Sequence, residues 1–82
     1  MNYPEMYQEV WSKHTDRYQT THHPYTFNGK PWGMEIQVVH NTLSDTWFKV
    51  TPGSGSKIEP ISKEESDNLM KDGFIVLQNA QQ

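Results

Sequence analysis

The chain has 82 residues, enough for one domain. Apolar residues make up 33% of it, and Leu, Ile, Val and Phe together supply 15 positions, which is thin for a core. The net charge of −3 is too small for a self-repelling disordered chain, and three Trp and four Tyr supply bulk in place of aliphatic residues. We therefore expect a single folded domain over residues 1–82, with a fraying tail at 79–82.

There is no cysteine, which excludes disulfides, thiolate zinc sites, iron–sulfur clusters and a cysteine nucleophile. No apolar run approaches the roughly 18 residues of a membrane span. The opening M-N-Y-P-E-M-Y-Q-E-V reads as a helix start, not as a secretory leader. The expectation is a cytoplasmic protein that does not contact membranes. Lys and Arg are spread along the chain without the stripe that binds nucleic acid. Residues 1–58 sum to zero charge, so the whole imbalance lies in 59–72, where Glu59, Glu64, Glu65, Asp67 and Asp72 face Lys63 and Lys71.

From the N-terminus, Tyr3, Tyr7, Val10, Trp11, His14 and Tyr18 recur at steps of three and four, which predicts an amphipathic helix over 3–18. Asn2 suits its N-cap and Pro4 its first turn. Tyr25, Thr26 and Phe27 precede Asn28-Gly29, a type I′ turn signal, so a hairpin is expected from 24–27 into a strand at 33–40. Pro31 delays that second strand, because proline lacks a ladder donor. Residues 41–45 read as a turn and 46–51 as a third strand with Phe48 and Val50 on one side and Trp47 on the other. Residues 52–56 read as a loop, with Ile58 and Ile61 buried around Pro60. Ser62 and Glu65 fit a capping box for a helix over 62–71, and Gly73 suits its exit. The apolar run 74–78 reads as a short central strand. The expected fold is α+β: a four-stranded, mostly antiparallel sheet with two helices on one face, in the order α-β-β-β-α-β.

The histidines His14, His22, His23 and His40 show no metal-ligand spacing, so no metal or other cofactor is expected. Gly53-Ser54-Gly55-Ser56-Lys57 lacks the spacing of a phosphate loop, and no serine sits in a nucleophile motif. The expectation is a protein without enzymatic activity. The aromatic residues carry more information. Tyr7, Trp11, Tyr18, Tyr25, Trp32 and Trp47 are many for this length, and most have a place in the core. Trp32 follows Lys30 and Pro31 at a tight turn, and Trp47 lies opposite Phe48, so both are expected at the surface. Exposed Trp and Tyr with few charges nearby anchor protein interfaces.

These residues point to a small binding protein that acts sterically as an inhibitor or adaptor, of the kind phages carry. Its partner protein would meet Trp32, Trp47, Tyr25 and Lys30, with Glu64, Glu65 and Asp67 of the acidic helix as a second contact. The alternatives are single-strand nucleic-acid binding by base stacking, which lacks a basic groove, and a His-based metal protein or hydrolase. An open edge at 25–27 would also allow strand pairing between copies into a homodimer.

Overall fold

A computed structural model describes residues 1–53 and 55–80, with the backbone alone at 24–27 and 30–34. The elements run α1 (Tyr3–Val10), β1 (Thr15–Phe27), β2 (Lys30–Asn41), β3 (Thr46–Thr51), β4 (Lys57–Ile61), α2 (Lys63–Met70) and β5 (Phe74–Gln78). The five strands form one antiparallel sheet in the order β4-β3-β2-β1-β5. The α+β class stands, and the strand number is corrected from four to five. The added strand, β4, runs through Pro60. A proline without its N–H is tolerated there because β4 is an edge.

The first helix is shorter than the 3–18 that its spacing predicts. Asn2 caps it, accepting from the Glu5 N–H at 3.0 Å, but it stops at Val10. Ser12 and Thr15 shape the exit: the Ser12 hydroxyl accepts from the His14 N–H, and the Thr15 hydroxyl donates to the Ser12 carbonyl. From Thr15 onward the chain is a strand. Tyr18 fits a helical step of four and also a strand alternation. The Thr-rich stretch around it, paired on both sides by β2 and β5, decides for the strand. β1 is therefore interior over 17–20, and it is β5, expected to be central, that forms the edge.

Successive strand residues face opposite ways, and this places the helices on opposite faces rather than on one. Val39, Phe48, Val50 and Ile58 share a face with Val10 of α1, and Met6 packs against the same cluster. Val38 and Trp47 point to the other face, where the Lys63 ammonium of α2 lies 5.1 Å from the Trp47 ring. Buried Ser66 and Thr20 are small enough to let α2 sit close to the sheet. The predicted capping box at Ser62 and Glu65 is present. Asn28 and Gly29 take φ of 52° and 75°, as a type I′ turn needs. Gly73 takes φ of 122°, and a Cβ there would stand 2.6 Å from the Thr21 hydroxyl, so glycine is required twice over. Beyond β5, the Ala80 N–H donates to Asp16 at 2.7 Å.

Arg17 ties α1 to the sheet. Only 6% of it is exposed. One guanidinium nitrogen donates to the Val10 carbonyl at the end of α1, another to Gln37 at 3.2 Å, and the group lies 4.2 Å from the centre of the Trp11 ring. Burial pulls its pKa below the ordinary value, yet a guanidinium keeps its proton. Replacing Arg17 with Met should remove both hydrogen bonds and the cation–π contact. The expected loss is about 2 kcal/mol, roughly 10 °C in the melting midpoint of a domain this size. Arg17→Lys should restore less than half of it, because an ammonium cannot reproduce the planar fork. A melt of Arg17→Met that matches wild type would refute this role.

Candidate functional site

Among the residues that sequence reasoning places at the surface, Trp47 is partly buried on the α2 face. It stacks on His40 with centroids 4.0 Å apart and planes 9° apart, and Lys63 lies near its ring. His40 is held in turn by Asp45, 2.7 Å from its Nε2, with Asp16 4.0 Å from its Nδ1. Trp47 is thus already occupied by its own chain. On α2, the Glu65 carboxylate accepts from the Ser62 N–H at 3.3 Å, and Asp67 pairs with Lys63. Glu64 is exposed.

The side chains of Tyr25, Lys30 and Trp32 lie outside the described residues. Their backbone belongs to the β1–β2 hairpin near the 28–29 turn. Trp47 pairs with His40, eight positions along β2 from Trp32, or roughly 25 Å of strand. The backbone positions of Trp32 and of Trp47's partner His40 therefore lie towards opposite ends of β2.

The structure instead displays an aromatic stripe on α1. Tyr3, Tyr7 and Trp11 are 44%, 50% and 50% exposed. They follow one another at i, i+4 and i+8, with ring centroids 6.2 Å and 6.0 Å apart. Both ends are fastened. The Tyr3 hydroxyl donates to the Ser56 carbonyl at 3.1 Å, with the Gly55 carbonyl at 3.4 Å, and Trp11 lies against Arg17. The helix buries a different stripe, Met6 and Val10, one position out of step with the rings. That offset aliphatic pair was the signal that these aromatics flank the core rather than fill it.

A second apolar surface lies on β5. Phe74, Ile75, Val76 and Leu77 are 48%, 53%, 48% and 47% exposed. Phe74 meets Tyr18 edge-to-face at 5.2 Å. The register against β1 shifts between Arg17 and Tyr18, which makes Leu77 the extra residue of a bulge.

Among the described residues, no group of three His, Asp or Glu side chains is placed to hold a metal ion. His40 is held by Asp45 and Asp16, whereas His23 lies 3.8 Å from Asp72. No helix of the described residues is long and apolar enough to cross a membrane. Compared with known protein families, with characterised proteins and with solved structures, the chain matches none.

The α2 face also sets the titration of Tyr18. Burial pushes its phenol above the ordinary value, Asp16 adds to the rise, and Lys63 opposes it. A raised phenol pKa favours the neutral form in the folded chain. Its stabilisation is complete below the usual value of about 10 and is lost as pH climbs through the folded value. A phenolate absorbance titration should show a late step that is missing in Tyr18→Phe, and that variant should lose less stability at alkaline pH. A Tyr18→Phe titration that keeps the late step and loses amplitude elsewhere would rule this out.

Proposed function

We propose that this chain is a non-enzymatic protein-binding module, acting in the cytoplasm as a steric inhibitor or adaptor, and that α1 is its contact surface. The observation that carries the reading is the stripe of Tyr3, Tyr7 and Trp11, three neighbouring rings each about half exposed and fixed at both ends. Tyr and Trp offer large amphipathic area with few rotatable bonds, so little side-chain freedom is lost on binding. Fastening the stripe lowers that cost further. Its rings suit a partner surface with an apolar pocket and acceptors within reach of the Tyr7 hydroxyl. Among the described residues, the cation that touches the stripe is Arg17, which is buried and committed to α1. That favours a protein partner over a phosphate backbone.

A photo-crosslinking amino acid placed at position 7 should yield a saturable adduct of defined mass in cells. Trp11→Ala should abolish the adduct formed at position 7. If position 7 gives no adduct, or Trp11→Ala leaves its adduct unchanged, the stripe is not the contact surface.

A further inference from the structure

The two edges of the sheet are built differently. β4 is guarded: Lys57 and Glu59 pair across its exposed side at 2.9 Å, and Pro60 removes a ladder donor. Charged side chains and proline are the usual means of keeping an edge strand from pairing with another chain. β5, with the sequence F-I-V-L-Q, has no charge and no proline, and its bulge falls at Leu77, leaving the side of 74–76 away from β1 regular. Four consecutive apolar side chains stand about half exposed there. Alternate N–H and C=O groups of an edge strand point outward with no partner in its own sheet.

We infer that β5 pairs with β5 of a second copy of this chain, antiparallel about a twofold axis at Ile75, so that the sheet continues from one copy into the other. The strand is complementary to itself in that arrangement. Ile75 meets its own symmetry mate on the α1 face. Phe74 of one copy meets Val76 of the other on the α2 face, an aromatic and β-branched pairing that stabilises antiparallel ladders. Charge selects the direction. Antiparallel pairing sets Asp72 against Gln78 and Lys71 against Asn79, whereas parallel pairing in register would set Asp72 against Asp72 and Lys71 against Lys71. The exposed apolar area of 74–77 is on the order of 300 Å2 per copy, within the range that marks interaction sites. It is below the roughly 800 Å2 per partner of a standard stable interface, so the dimer forms and dissociates with concentration.

Sedimentation equilibrium of the full chain from about 10 μM to about 1 mM should show the mean mass rising from 9.6 kDa towards twice that value. Ile75→Lys should stay at the lower mass throughout, and Tyr7→Glu should still dimerise. A wild-type chain that stays monomeric overturns the inference and leaves the edge to a strand from another protein. A dimer that survives Ile75→Lys, or that Tyr7→Glu abolishes, overturns it in favour of a different surface. Should Ile75→Lys fail to fold, a second variant decides. The chain has no cysteine, so Ile75→Cys supplies a single thiol. Opposed residues of an antiparallel pair have Cα atoms about 4.5–5.5 Å apart, within disulfide reach. Mild oxidation should crosslink Ile75→Cys at least tenfold faster than Glu64→Cys, and equal rates reject the pairing.

Discussion

A buried guanidinium on the sheet determines where the first helix goes. Taking a charge out of water costs several kcal/mol unless its hydrogen bonds are replaced. Arg17 replaces them with the carbonyl of Val10, the side chain of Gln37 and the face of Trp11. The Val10 carbonyl lies at the negative end of α1, which has no basic residue in its own last turn. Arg17 supplies from β1 the cation the helix lacks. The same contact fixes the rotation of α1 about its axis. With Met6 and Val10 turned to the sheet and Trp11 held on Arg17, Tyr3 and Tyr7 are left on the flank. The exposed stripe is thus a consequence of how the cation is neutralised.

The other face is governed by size. α2 crosses from the end of β4, at one edge, to the start of β5, at the other, and packs over β1, β2 and β3 between them. Ser66, Thr20 and Val38 are fully buried and none is large. Their small volume brings the helix close, and Gly73, close against Thr21, turns the chain back into β5. The crossing leaves β5 with a partner on one side only. Asn41 ties the α1 face to the β2–β3 turn: its side-chain oxygen accepts from Leu43 and Ser44, and its amide donates to the Glu9 carbonyl at 3.0 Å.

Local chemistry was legible from the residues. The Asn2 cap, the Asn28-Gly29 turn, the third strand, the capping box and Gly73 all depend on side chains within a few positions of one another, and all stand where they were expected. What depended on tertiary pairing was not legible. The run at 74–78 looks like a central strand because an apolar segment alone cannot reveal how many neighbours it has. Ile58 and Ile61 read as buried residues around Pro60 without a strand, because a proline is compatible with a strand only once β4 is known to be an edge. The helix periodicity ran on to Tyr18 because spacing alone does not register the two flanking strands that capture 17–20. The exposed stripe was hidden for a related reason. Large rings at helical spacing look like core, and they outweigh the smaller signal of Met6 and Val10, the pair one position out of step that faces the sheet.

The aliphatic inventory makes the exposure on β5 harder to treat as incidental. Of the 15 Leu, Ile, Val and Phe residues in the chain, Val10, Val38, Val39, Phe48, Val50 and Ile58 are buried. Phe74, Ile75, Val76 and Leu77 stand about half exposed in one strand. A domain short of such residues gains most by burying the ones it has, since stabilisation scales with apolar area removed from water. Polar residues at several of these four positions would leave the β1 ladder intact, because backbone groups make that ladder. Moving the strand inward is not open to the fold either, since α2 delivers it to the edge. The arrangement is economical if a neighbouring surface covers what the domain leaves open, and the unguarded edge gives that surface a direction in which to bind.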